Sequence, residues 1–145
     1  MKIPLGGGNP VPIGETSRSG ETDWSPGGEW IYQTWGDKLR LASDDGKTHK
    51  VLDSPRTSAV GFSRDGATLY ALRRNSEQKW ELAELGVPDG REKKITPLDL
   101  PLSVTIEGFS LHPDGKSFAT SVGTARYDIW LLEGFPQPRR WSFLR

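Results

Sequence analysis

The chain contains no cysteine, which removes disulfides, thiolate metal sites and cysteine nucleophiles from consideration. Histidine is nearly as scarce, and the two present, His49 and His112, belong to no His-Glu-x-x-His pattern. No apolar run approaches the roughly 18 residues that a membrane-spanning helix needs. The opening stretch MKIPLGGGNP lacks the apolar core of a signal peptide. An excess of charge is missing too. Lysine plus arginine number 19, aspartate plus glutamate also 19, unlike the basic excess of a dedicated nucleic-acid binder. These absences predict no membrane span and no nucleic-acid partner. They fit the cytoplasm, with the periplasm open if a leader precedes Met1.

What is plentiful is punctuation. Among 145 residues, 17 glycines and 11 prolines leave little room for helices of ten or more residues and favour short strands joined by tight turns. The length corresponds to one ordinary domain with one core, and 34 % hydrophobic against 26 % charged residues is a globular balance.

The punctuation repeats. Trp24–Trp35, Phe62–Arg73 and Leu111–Val122 share a layout: an apolar residue, a polar pair, a glycine turn and an apolar strand. The anchoring glycines Gly28, Gly66 and Gly115 stand 38 and then 49 residues apart. A period near ~40–45 residues is that of propeller blades among repeat architectures. A second apolar strand follows in each unit, at Leu39–Ala42, Trp80–Leu85 and Ile129–Leu132. The next turn is Asp44-Asp45-Gly46-Lys47, Pro88-Asp89-Gly90-Arg91 and Gly134-Phe135-Pro136-Gln137-Pro138 in turn, and a last short strand covers His49–Leu52, Lys94–Thr96 and Arg140–Phe143. Asp-Gly between apolar runs signals a hairpin, because glycine reaches positive φ without steric cost. Consecutive apolar residues, as in Ile129–Leu132, mark strands covered on both faces, as stacked sheets provide and a lone meander does not. An irregular β-sandwich with coincidental turns is the competing reading, and the agreement of three units in order and turn position disfavours it.

The expectation is therefore an all-β chain of four-stranded antiparallel sheets, forming one partial propeller domain over residues 1–145. Its units are a half-blade at 1–16, whose strands Lys2–Leu5 and Pro10–Ile13 flank the turn Gly6–Asn9, then blades at 19–53, 57–97 and 102–144. That makes about three and a half blades in an incomplete ring, starting in mid-blade, where propellers typically have four to eight.

Trp24-Ser25-Pro26-Gly27-Gly28, Phe62-Ser63-Arg64-Asp65-Gly66 and Leu111-His112-Pro113-Asp114-Gly115 resemble the "FSPDG" motif of TolB-like and WD-repeat-like bacterial β-propellers, and Asp128-Ile129-Trp130-Leu131-Leu132 resembles its "DIW" companion. The resemblance spans nearly the whole chain. Gly27 stands where aspartate is usual, Arg64 replaces proline, and the first two units lack the Asp-Ile-Trp triplet. The likeness implies the C-terminal blades of a longer propeller, of the kind that follows a Ser/Thr kinase or a winged-helix domain as a sensor, or a stand-alone remnant of one.

No catalytic constellation stands out. There is no P-loop or Gly-x-Ser-x-Gly elbow, and Ser63 lacks the second glycine an elbow requires. The turn aspartates Asp65, Asp89 and Asp114 read as backbone caps, and Asp44-Asp45 lacks the spaced ligands of a calcium loop. The chain is therefore read as no enzyme, with no cofactor and no metal. His112 reads as solvated or capping, His49 as a surface residue of an outer strand. Trp24, Trp30, Trp80 and Trp130 are expected in packing between blades, while Trp35 and Trp141 are freer to meet a ligand or partner.

Propeller geometry places the loops between strands two and three on the same rim as the linkers between blades. Those segments carry Trp35, Arg56, Arg73, Arg74, Arg126 and Tyr127, residue types that dominate recognition surfaces. A solvated rim with scattered ion pairs is the alternative. The functional expectation is a protein-interaction or scaffold module. The alternative is an accessory or sensor propeller of a larger enzyme, such as a prolyl-oligopeptidase-like hydrolase or Ser/Thr kinase, or of a winged-helix regulator. An exposed terminal sheet further predicts self-association, two chains closing a ring of about seven blades.

Overall fold

The computed structural model describes residues 1–13, 20–35, 38–54 and 56–124. The expected strands at Ile129–Leu132 and Arg140–Phe143, with Trp130 and Trp141, lie outside the described residues, as does the side chain of Trp35.

Ten strands follow one another: β1 (Thr22–Trp24), β2 (Trp30–Trp35), β3 (Lys38–Ser43), β4 (His49–Leu52), β5 (Thr57–Phe62), β6 (Thr68–Arg74), β7 (Trp80–Gly86), β8 (Glu92–Pro97), β9 (Val104–Leu111) and β10 (Phe118–Thr124). They form a four-stranded sheet β1-β2-β3-β4, a four-stranded sheet β5-β6-β7-β8 and a two-stranded sheet β9-β10, all antiparallel and in sequence order. We call these the first, second and third sheets. No helix among the described residues is long and apolar enough to cross a membrane.

The hairpins close by a device written in six residues. Ser63 N–H donates to the Thr68 carbonyl at 2.8 Å, and Thr68 N–H donates to Ser63 Oγ at 2.9 Å. Ser63 Oγ in turn donates to Asp65 Oδ1 at 2.6 Å, which also accepts the Ala67 N–H at 3.0 Å. Ser43, Asp45 and Thr48 repeat this network between β3 and β4. At the turn of β9 and β10, His112 replaces the serine, and its Nδ1 lies 2.8 Å from Asp114 Oδ1. Where Gly27 stands in place of aspartate, Ser25 Oγ still accepts the Trp30 N–H at 3.0 Å. Each of these four turns ends on a glycine at φ near +70°, Gly28, Gly46, Gly66 and Gly115, where a side chain would meet its own backbone.

The sheets stack face on face. Tyr32, Leu39, Leu41 and Leu52 of the first sheet pack against Val60, Leu69, Ala71, Ala83 and Leu85 of the second. The opposite face of the second sheet, with Ala59, Leu72 and Trp80, packs against Val104 and Ile106 of the third. A tyrosine of one sheet meets a phenylalanine of the next at both junctions: Tyr32 and Phe62 at 5.7 Å, Tyr70 and Phe109 at 5.9 Å. The second sheet is thus covered on both sides, which explains the consecutive buried residues Ala71-Leu72-Arg73 on β6.

The N-terminal segment touches the first sheet at the turn between β3 and β4. The turn glycine Gly46 lies so close to Pro12 that an added Cβ would stand 2.7 Å from its carbonyl oxygen, while Gly90, 44 residues on, lies against the side chain of Leu52. Lys2 and Val11 exchange both backbone hydrogen bonds, at 2.8 and 2.9 Å, as a single antiparallel bridge. Two strands were expected here. Pro4, Pro10 and Pro12 have no N–H to extend the ladder, so one bridge forms instead.

Candidate functional site

The loop after β6 and the linker between β4 and β5 meet at one end of the stack and enclose an open cleft of about 530 Å³. Its walls include Asp53, Arg56, Arg73, Arg74, Glu81 and Glu92. Three of the six rim residues singled out in the sequence therefore converge on one place. Arg126 and Tyr127 lie outside the described residues.

Arg73 forms the floor. Its side chain is 9 % exposed, with Nε 2.7 Å from Glu81 Oε1 and Nη2 2.6 Å from Glu92 Oε2. Cross-strand register places Arg73 directly opposite Glu81, so the sheet itself sets this pair. Nη1 reaches the Asp53 carbonyl at 3.5 Å and Ser54 Oγ at 3.4 Å, and Ser54 is itself 1 % exposed. Burial opposes the guanidinium charge, but the hydrogen bonds that Arg73 donates to Glu81 and Glu92 outweigh it and raise the Arg73 pKa. Arg73 was expected to face a partner; its guanidinium instead ties β6, β7 and β8 to the linker. Alternation along a strand shows which face a residue takes, not which groups await it there.

Arg74 leaves β6 on the other side. Its guanidinium lies 4.6 Å from the ring centroid of the buried Trp80, and Nη2 donates to the carbonyls of Leu102 and Val104 at 2.9 and 2.8 Å. Those carbonyls lie just before and at the start of β9. The Trp80 indole N–H has no acceptor among the described residues, so the arginine engages the ring by its face alone.

Arg56 differs from both. It is exposed and holds a φ of +56°, a left-handed conformation that a non-glycine residue adopts at a cost of roughly 1 kcal/mol or more. Its carbonyl accepts the Arg74 N–H at 3.4 Å, and its guanidinium makes a long 3.4 Å contact to the Asn75 carbonyl. Asn75 Oδ1 caps the loop by accepting the N–H groups of Glu77 and Lys79, both at 3.0 Å. The acids Asp53 and Glu92, the latter 44 % exposed, give the cleft mouth both signs of charge. Nothing in the sequence pattern marked Asp53, Glu81 or Glu92, since each sits at a position that varies between the units.

With the sheets, their stacking and this rim described, the fold can be compared with solved structures. The β-propeller domain of Cps50 (Swd1) from Myceliophteria thermophila matches with a TM-score of 0.56 at 18 % identity, over 74 % of this chain and 33 % of that one. The chain is built of β-propeller blades. The first and second sheets are complete four-stranded blades, and the chain spans about a third of the length of the propeller it matches. A looser likeness, from which nothing is drawn, is to a Bacteroides uniformis protein assigned as a 6-phosphogluconolactonase: TM-score 0.47, 19 % identity, 68 % of this chain and 31 % of that one. No protein-family model matches the sequence, and no curated protein matches it.

The tryptophans of the blades divide. Trp80 is 2 % exposed and Trp30 packs against the junction of the first two blades, as expected of inter-blade residues. Trp24, expected among them, is 40 % exposed.

Proposed function

We propose that the chain is a non-catalytic protein-interaction module of TolB-like blades whose partner docks in the rim cleft. The observation that carries this reading is Arg56. It is held in a strained conformation beside a cleft whose other two arginines are engaged within the fold, and its guanidinium faces solvent. Strain of this kind concentrates where a side chain is needed for contact. Arg56 offers a fork for a partner carboxylate, and Asp53 and Glu92 offer acceptors for a neighbouring cation. The cleft therefore suits a partner loop of mixed charge.

The test uses the immobilised chain as bait in extract of its own source cells, with wild type and Arg56→Glu compared side by side. Proteins retained by the wild type are expected to be lost with Arg56→Glu while its melting temperature does not fall. Equal retention by both baits would overturn the cleft as the docking site. A turnover of any retained small substrate by the isolated chain would overturn the non-catalytic reading.

A further inference from the structure

The charges inside the rim cleft do not cancel. Three carboxylates, Asp53, Glu81 and Glu92, line it together with the guanidiniums of Arg56, Arg73 and Arg74. Arg74 turns to the other face of the blade, over Trp80, and donates to the Leu102 and Val104 carbonyls. Three carboxylates are left against two guanidiniums, an excess of one negative charge.

The imbalance is sharpest at the floor. Arg73 alone serves both glutamates, through Glu81 Oε1 at 2.7 Å and Glu92 Oε2 at 2.6 Å. Oε2 of Glu81 and Oε1 of Glu92 accept nothing among the described residues. The Glu81 side chain is only 10 % exposed, and a carboxylate so deep with an open oxygen costs free energy until a donor reaches it. Asp53 adds a third open acceptor. Its backbone carbonyl is taken by Arg73, while its exposed carboxylate makes no hydrogen bond or ion pair among the described residues.

The sheet also supplies an apolar ledge. A bulge on β8 skips Lys93, so that Glu92 pairs with Leu85 and Ile95 with Ala83. Arg73, Glu81, Glu92 and Ile95 therefore share one face of the second blade. Ile95 lines the cleft and is 42 % exposed.

We propose that the partner inserts a lysine or arginine side chain into the cleft, among Asp53, Glu81 and Glu92, with its aliphatic stem along Ile95. Such a side chain matches the lining in both its parts, since the stem lies on apolar surface while the charged head meets the acceptors. A neutral or acidic side chain in its place leaves the Glu81 oxygen without a donor, and that difference sets the specificity. The inference rests on the rim cleft as the docking site and adds which kind of partner residue enters it. An acidic residue beside the inserted one meets Arg56.

Random heptapeptides displayed on phage and panned on the immobilised full chain test it. Retained peptides are expected to share one lysine or arginine. Replacing that residue by norleucine in the synthetic peptide should weaken binding about tenfold. Asp53→Lys, at an exposed position, should weaken binding about as much with no fall in melting temperature, and a peptide carrying glutamate for its basic residue should regain affinity for this variant. Ile95→Ser weakens binding roughly threefold. Peptides that share no basic residue, or a library from which nothing is retained, overturn the proposal. Peptides lost with Arg56→Glu but indifferent to Asp53→Lys overturn it and leave the cleft as the docking site. Peptides indifferent to both substitutions overturn both readings.

Discussion

Arg73 and Arg74 are neighbours on β6, yet they bind the linkers on opposite sides of their blade. Arg73 reaches back to the Asp53 carbonyl and Ser54, before β5, and Arg74 reaches forward to the carbonyls of Leu102 and Val104, around the start of β9. Two consecutive residues thereby fasten both junctions of the second blade.

Replacing each arginine should loosen a different junction. Arg73→Ala leaves Glu81 buried with its charge uncompensated, at a cost of about 3 kcal/mol, or roughly 10 °C in melting temperature. Arg74→Ala loses two carbonyl hydrogen bonds and the Trp80 ring contact, at about 2 kcal/mol. Hydrogen exchange separates them: residues 52–57 speed up in the first variant and residues 102–106 in the second. Arg74→Lys is expected to rescue little, since an ammonium group cannot both lie flat on the indole and fork to two carbonyls.

Arg56→Gly should stabilise the fold by roughly 1 kcal/mol, because glycine takes a φ of +56° without strain. Its melting temperature rises by a few degrees while partner retention falls. A drop in both would mean that Arg56 supports the loop instead of serving contact.

The Asp45 carboxyl is held down to about 2, first by the hydrogen bond from Ser43 and then by that from the Lys47 N–H. A depressed carboxylate contributes stability above the unfolded value of about 3.8 and loses it as pH falls through the folded value. Carboxyl carbon shifts followed by nuclear magnetic resonance are expected to place the Asp45 midpoint near 2, and in Ser43→Ala the midpoint moves up. Asp65 is lowered in the same way by Ser63 and the Ala67 N–H, so Ser63→Ala raises its midpoint too.

The hairpins were legible in the sequence because their chemistry is local. Ser43, Asp45 and Gly46 carry a turn's capping hydroxyl, carboxylate and positive-φ residue within four positions. The rim was legible as a place, since connection lengths bring Arg56, Arg73 and Arg74 to one end. Their roles were not, because the partners of Arg73 lie on β7, β8 and a linker 19 residues away. Trp24 was misjudged for a related reason. It occupies the repeat position that Phe62 fills inside a junction, but cover depends on what lies across the sheet, which a repeat position does not record.

The self-closing turns bear on how the chain folds. Ser63 to Thr68 complete their hydrogen-bond network within six residues, and each described pairing within a sheet joins strands adjacent in sequence. Such hairpins need little loop closure and can form early, before the sheets meet. Stacking then proceeds as an addition of units along a line, with loss from either end. The second blade, covered on both faces, is the last to open, and the slowest-exchanging amides belong to β6 and β7.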